Sequence, residues 1–325
     1  LDNSKHKLVE RHLWFEQLYD VPVSVNLHPP FQVKVLKEDH KHRIIRNERG
    51  VICRELKKRE SMPEFLEFPV KDEDDFHRLI DRRMDSSDAD RYPEDWDELA
   101  RKLDDRDYPL GVFCGSLYGW VRYWMGFERA SRTFIQNPDF IHEMMEFIAD
   151  HVTEVVGIAL GKLQEYGIEL DYAHFWEDMC YNKGPLISPA MFEEFMLPRY
   201  KRITGLLKNH GIDIIFVDSD GKIDELVPLW LEGGVNCMFP VEAAHTSPKR
   251  LREKFGARAL MMGGIDKRAL IEGNKEAIDR ELNKLPPLLE SGGYIPHIDH
   301  RVPPDVSFES YSYYMERKRE MLGLS

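Results

Sequence analysis

"DIIFVDSDGK", residues 213–222, decides how the rest of the chain is read. Ile214 to Val217 is a run of β-branched and aromatic residues. That is the pattern of a strand buried on both faces, as in a parallel sheet covered by helices. Asp218 and Asp220 then close the strand, although aspartate is a poor strand former. One of the two is expected to cap a helix begun by "KIDELVPLWLEGG" at residues 222–234, since a short polar side chain satisfies the free amides there. A cap accounts for one acid and leaves the other unexplained.

The same grammar extends from Tyr108 onward. Apolar strands are predicted at "YPLGVFC" (108–114), "IELDYAHFW" (168–176), "DIIFVDS" (213–219), "VNCMFPVE" (235–242), "RALMMGGID" (258–266) and "GGYIPHID" (292–299). The segments between them have helical apolar spacing, and several stop at glycine. Strict alternation implies right-handed βαβ units and a parallel sheet. Asp218, Glu242 and Asp266 fall 24 residues apart, a compact βα repeat. With "VPVSVNL" at 21–27 and one strand without a clear place in the sequence, the count approaches the eight of a (β/α)8 TIM barrel. No glycine-rich phosphate fingerprint follows any strand, which weighs against a doubly wound sheet. The expectation is a single barrel domain over residues 1–325, with residues 108–325 as its core and 1–107 as decoration. The decoration reads as a helix at 5–19, a hairpin at 42–56 turning near Arg49 and Gly50, and a helix at 72–84 with an acidic start, where the helix dipole favours acids.

Composition narrows the function. The chain carries 58 acidic against 45 basic residues, a net charge of -13, which repels nucleic-acid phosphates. No nucleic-acid partner is expected. The 42% hydrophobic content suffices for a large core, yet no apolar run approaches a membrane span. Cys53, Cys114, Cys180 and Cys237 stand singly, without metal-type or disulfide-type spacing, which suits a reducing cytoplasm. A cytoplasmic protein without a membrane partner is the expectation.

In α/β barrels the chemistry gathers at the C-terminal ends of the strands. Read together, those ends give Glu177 and Asp178, Asp218 and Asp220, Glu242 with His245, Asp266, and finally His297, Asp299 and His300. Carboxylates placed side by side repel, so a cation or a shared proton must intervene. Asp218 and Asp220 share a face if the strand runs through them. With Glu242 and His300 they would form a hard oxygen and nitrogen set suited to zinc, manganese or iron. The alternative is proton sharing, in which one carboxylate serves as a general acid and no metal is needed. Around this face Tyr181, in "CYNKGPLISP", and Trp176, at the end of its strand, are candidates for substrate contact. Ser188 as helix cap and Pro189 at the first helical position explain most of that stretch structurally. Arg122, in the aromatic stripe "SLYGWVRYWMGFE" (116–128), either meets an anionic substrate or pairs with an acid, and the stripe itself reads mainly as packing.

The stretches "GWVRYWMGFE" (119–128), "FWEDMCYNKGPLISPAMFEEFMLPRYKRI" (175–203), "VDSDG" (217–221) and "GGYIPHIDHRVPPDVSFESY" (292–311) resemble the uroporphyrinogen decarboxylase superfamily, especially its corrinoid-linked methyltransferases and decarboxylase-like members. The likeness covers roughly residues 108–320. It implies a (β/α)8 barrel with its site at the strand C-termini. True decarboxylases carry an arginine-rich "MRQAGR" segment that grips the porphyrinogen propionates, and "VPVSVNLHPPFQ" stands in its place here. Porphyrinogen decarboxylation is therefore not expected. The methyltransferases that serve coenzyme M hold zinc with a His-x-Cys-Gly motif, a glutamate and a cysteine before "PPD". Asp218 and Asp220 fall on the His and Cys of that motif, Glu242 on the glutamate and His300 on the last cysteine. The resemblance thus implies a metal-assisted methyltransferase that takes a methyl group from a small methoxylated or methylated donor to a corrinoid carrier protein. Asp220 would act at the metal and Glu177 or His297 would supply a proton. The other readings are a decarboxylase-like lyase acting on a small carboxylic acid and a non-catalytic tetrapyrrole-binding barrel.

Overall fold

The computed structural model describes residues 18–57 and 62–324. The helix expected over residues 5–19 lies almost wholly outside them. The chain divides into two compact units, interleaved in sequence. One takes in Asp20–Glu177 and Ile187–Asp213, the other Asp178–Leu186 and Ile214–Ser325.

A two-residue strand, β1 (Tyr19–Asp20), ends on the first residue of the first unit, after which the Val21 amide donates to the Gly111 carbonyl at 2.9 Å. The strand expected over 21–27 is thus shorter and earlier than its composition suggests. Pro22 has no amide hydrogen to give a ladder, and residues 21–27 run as a loop. An antiparallel sheet follows, in the order β2 (Lys34–Glu38), β3 (His42–Arg46), β4 (Ile52–Leu56) and β5 (Glu64–Glu67). The predicted hairpin is its centre: β3 and β4 pair from His42 opposite Leu56 to Arg46 opposite Ile52. The turn between them places Gly50 at φ 83°, in the left-handed region that favours glycine. The helix Glu73–Arg83 begins as expected, with the Asp72 carboxylate accepting from the Asp75 amide at 2.8 Å.

Two parallel strands, β6 (Leu110–Phe113) and β7 (Tyr172–Trp176), form the α/β part of this unit. Gly111 lies under the Tyr172 ring so closely that a Cβ there would stand 2.1 Å from it. The connection runs through helices Tyr118–Met125, Phe127–Gln136 and Pro138–Glu165. The last of these buries Ile141, Met144, Ile148, Val152 and Val155 on one stripe and packs against the helix Leu197–Asn209.

The second unit opens with a small two-stranded ribbon, β8 (Cys180–Tyr181) and β9 (Gly184–Pro185). Four parallel strands follow: β10 (Ile214–Asp218), β11 (Cys237–Val241), β12 (Leu260–Ile265) and β13 (Tyr294–Ile298). They lie side by side in chain order. That is the progression of a singly wound α/β layer; a doubly wound sheet would reverse direction. Their apolar residues, including Ile215, Val217, Met238 and Met261, are buried as a two-sided strand pattern requires. Among the described residues the α/β part holds β1, β6 and β7 and the four strands β10 to β13. The fold class is α/β with parallel strands, seven of them among the described residues.

Two helices of this unit depart from expectation. The helix foreseen at 222–234 starts only at Val227, with Leu226 before it and no side-chain cap. Neither Asp218 nor Asp220 is therefore a helix cap. The segment 275–293 splits into Lys275–Leu282 and Pro286–Glu290, since Pro286 and Pro287 supply no amide to continue the first helix. Among the described residues no helix is long and apolar enough to cross a membrane, and all four cysteines are buried and free.

Candidate functional site

The C-terminal ends of β10, β11, β12 and β13 carry the acids of the second unit. Asp218 is the last residue of β10, opposite Phe239 of β11. Burial pushes its carboxyl up, the neighbouring Asp220 and Asp178 charges push it further, and it titrates at about 7 despite the opposing charge of Arg301. Burial likewise raises Asp220; Asp178 and Glu242 add to that, while His300 and Lys267 oppose it. His300 Nε2 stands 3.6 Å from Asp220 Oδ2. Asp178 is itself unusual, a non-glycine residue at φ 43°, and its amide donates to the Asp218 carbonyl at 3.1 Å. Left-handed backbone at a non-glycine residue costs free energy and recurs at functional sites.

Glu242 follows β11 and is differently placed. Its Oε1 lies 2.8 Å from Lys267 Nζ, and its Oε2 accepts from the Gly221 amide at 2.9 Å. Burial alone would raise this carboxyl, but the Lys267 ammonium and the Gly221 amide bring it below the ordinary range. Lys267 Nζ also stands 3.7 Å from Asp299 Oδ1. Asp299 is wholly buried and accepts from the Ala243 and Lys267 amides. A cation therefore already sits among these acids, and it is a lysine. The expected set Asp218, Asp220, Glu242 and His300 does not close as one coordination sphere, because both oxygens of Glu242 are engaged by protein donors. The residues do not fit a four-ligand metal site in this arrangement. Among the described residues one group has ligand atoms close enough to hold a metal ion, and it lies in the first unit: His28, Asp88 and Asp90, all within 4.8 Å of one another.

The other candidates separate clearly. Glu177 ends in a closed cage of the first unit. Its carboxylate accepts from Ser116 Oγ at 2.9 Å, the Leu117 amide at 2.9 Å, the Gly119 amide at 3.0 Å and Tyr200 OH at 2.6 Å. Burial pushes its carboxyl up against the pull of these four donors, and it has no exposure through which to touch a substrate. The expected proton donor is a structural anchor for the loop after β6. Glu177→Gln is expected to lower stability by about 1 to 3 kcal/mol, since an amide cannot accept from four donors, without moving the pH midpoint of catalysis. Thermal melting and a pH–rate profile of the variant check this. His297, the second expected donor, packs against Phe239 with ring centroids 5.4 Å apart, and its Nδ1 meets the Ile298 carbonyl at 2.6 Å. Burial lowers its pKa, so it is a neutral packed histidine. Asp266 caps the helix Lys267–Glu272 and pairs with Arg268. Tyr181 has an exposed side chain, and its backbone lies against Gly221, where a Cβ would meet the Tyr181 carbonyl oxygen at 2.8 Å.

In the first unit Trp176 and Arg122 do come together. Arg122 Cζ lies 5.8 Å from the Trp176 ring and 5.5 Å from that of Tyr123, and Trp176 lines a cavity of about 470 Å³ at the C-terminal ends of β6 and β7. Asp178, read as a strand-end acid but given no role, and Lys267, which sequence reading did not single out, perturb the central acids. For Lys267 the available signal was its position next to the strand-end acid Asp266.

A family model described as Uroporphyrinogen decarboxylase (URO-D) matches residues 55–321. The chain belongs to this family. It is 20% identical over 263 residues to "Uroporphyrinogen decarboxylase" of Campylobacter lari, covering 78% of this chain and 71% of that protein. A protein of the same description from Xanthomonas campestris is 25% identical over 263 residues, 74% of this chain and 67% of that one. Among solved structures, a "methyltransferase from Methanosarcina mazei" superposes with a TM-score of 0.61 at 15% identity, covering 97% of this chain and 83% of that chain. At that identity the likeness concerns the fold.

Proposed function

We propose that this protein moves a methyl group from a small methoxylated or methylated donor to the cobalt of a corrinoid carried by a partner protein, with Asp218 as the proton donor. The observation that carries the reading is the Asp218 carboxyl, whose proton is held to about pH 7 at a strand end. A methyl group bound to oxygen or nitrogen leaves poorly unless the departing atom is protonated. The methyl carbon would take the electron pair of cobalt(I) as its bond to the heteroatom breaks. The heteroatom would keep that bonding pair and receive the Asp218 proton. General acids of this kind contribute roughly 10²–10⁴-fold, and they work best with a pKa near the operating pH. Asp220, with His300 Nε2 3.6 Å from its carboxylate, would return a proton to Asp218.

The same proton could follow loss of carbon dioxide from an acid. The charge of this face favours the methyl donor: Asp178, Asp218, Asp220, Glu242 and Asp299 outnumber Lys267, Arg301 and His300 around it. A substrate bearing several carboxylates would meet like charge there. A neutral ether or a methylated amine would not. The architecture shared with the Methanosarcina mazei methyltransferase supports a site of this type at the strand C-termini. Purified protein mixed with cob(I)alamin and a panel of methyl ethers and methylated amines should generate the absorption bands of methylcobalamin with at least one donor. Absence of that change with every donor, together with carbon dioxide release from a small acid, would replace methyl transfer by a lyase.

A further inference from the structure

The cavity of the first unit has an ordered wall, an aromatic lining and an arginine at its mouth. We infer that it binds a small planar aromatic carboxylate, with the ring against Trp120, Trp124 and Trp176 and the carboxylate on Arg49. This binding does not depend on methyl transfer.

The lining comes from two strand ends, a helix, a hairpin turn and a loop. Phe113 and Trp176 are the last residues of β6 and β7. Trp120, Tyr123 and Trp124 come from the helix Tyr118–Met125. The turn of the β3–β4 hairpin brings Arg49, whose Cζ stands 4.4 Å from the Tyr123 ring centroid and 5.7 Å from that of Trp176. The Tyr123 and Trp176 rings are themselves 5.1 Å apart. Among the described residues no carboxylate is in ion-pair contact with Arg49. A guanidinium stacked on rings keeps its in-plane N–H groups for a planar oxygen acceptor, which is the geometry of carboxylate recognition. Glu48 also lines the cavity, which by itself would favour a cation. The Arg49 and Arg122 guanidiniums, however, already stand close to the Tyr123 and Trp176 rings, so a cationic ligand there would meet like charge.

The opposite wall is preset. It is the loop containing Ser24, Asn26 and His28, held from behind by Arg91, a residue with only 1% exposure. The Arg91 guanidinium donates to the carbonyls of Ser24 at 3.0 Å, Asn26 at 2.6 Å, Asp85 at 2.6 Å and Arg83 at 2.7 Å. The buried His151, which burial brings down to about 4, meets the Val25 carbonyl at 3.0 Å. A buried charge satisfied by four backbone carbonyls, two of them in that loop, ties it to the segment carrying Arg83 and Asp85, and a fixed wall lowers the ordering cost of binding. The volume suits one or two fused rings.

Titration of the full chain with benzoate, benzamide and cyclohexanecarboxylate, followed by calorimetry and by tryptophan fluorescence, tests the inference. Benzoate should bind about tenfold more tightly than benzamide, the discrimination of one charged hydrogen-bonded contact, and about tenfold more tightly than the saturated acid, which cannot stack. Arg49→Ala should reduce benzoate to the affinity of benzamide, leaving benzamide binding and the melting temperature unchanged, because Arg49 is exposed. Trp176→Leu should weaken both aromatic ligands alike. Equal affinities for acid and amide, an Arg49→Ala variant that binds benzoate as the parent does, or no benzoate binding at all would each overturn it.

Discussion

Replacing Asp218 by Asn is expected to lower methyl transfer by about a hundredfold or more while raising the melting temperature above pH 7. The two effects have one cause. Burial first, then the charges of Asp220 and Asp178, move the Asp218 carboxyl from its ordinary 3.8 to about 7. A carboxyl with a raised folded pKa binds its proton more tightly in the folded chain than in the unfolded one. The folded state is therefore penalised progressively as pH rises from the unfolded value to the folded value, and the full penalty stands above about 7. Asparagine keeps the shape and never ionises. The variant's gain in melting temperature should be near zero at pH 4, grow between pH 4 and 7, and level off at about 2 °C or more above that. The catalytic sign is opposite. A general acid works only while protonated, so the parent rate should fall about tenfold per pH unit above 7. A parent rate that rises through pH 7, or an Asp218→Asn variant with the parent's profile, would place the acid elsewhere.

That trade between function and stability explains why the sequence was readable in some places and opaque in others. The apolar runs of β6, β7 and β10 to β13 were legible because burial on both faces leaves only one kind of residue suitable. The strand ends were legible as a set because Asp218, Glu242 and Asp266 repeat with the βα unit. Their roles were not. Asp266 became a helix cap, Glu177 a cage for four donors, and Glu242 half of an ion pair, and each outcome depends on a partner distant in sequence or on the backbone. Lys267 shows the limit most plainly: one position after Asp266, it looks like a surface lysine in the first turn of a helix. Only the meeting of β11, β12 and β13 places its ammonium between Glu242 and Asp299. The outer strands of the antiparallel sheet escaped notice for a different reason. β2 and β5 are exposed throughout, so no hydrophobic alternation marks them.

Lys267→Met should cost about 3 kcal/mol of stability at neutral pH, the loss that follows removal of one partner from a buried ion pair. Methionine retains the apolar stem, so the deficit reports the charge. Asp299 is wholly buried, and Glu242 and Lys267 have side chains only 14% and 22% exposed. Without the ammonium both carboxyls lose the cation that opposes their desolvation, and their pKa values rise. The difference between parent and variant should therefore be largest near pH 7 and shrink as pH falls, first as the raised carboxyls of the variant take up protons and finally, below the ordinary carboxylate range, as those of the parent do. Glu242→Gln combined with Lys267→Met should recover part of the loss, because one of the two stranded charges is gone. Chelator treatment of the parent should leave its activity unchanged, since lysine serves as the cation among these acids. A neutral Lys267→Met variant in a protein that chelation inactivates would mean that Asp218, Asp220, Glu242 and His300 gather around a metal ion after all.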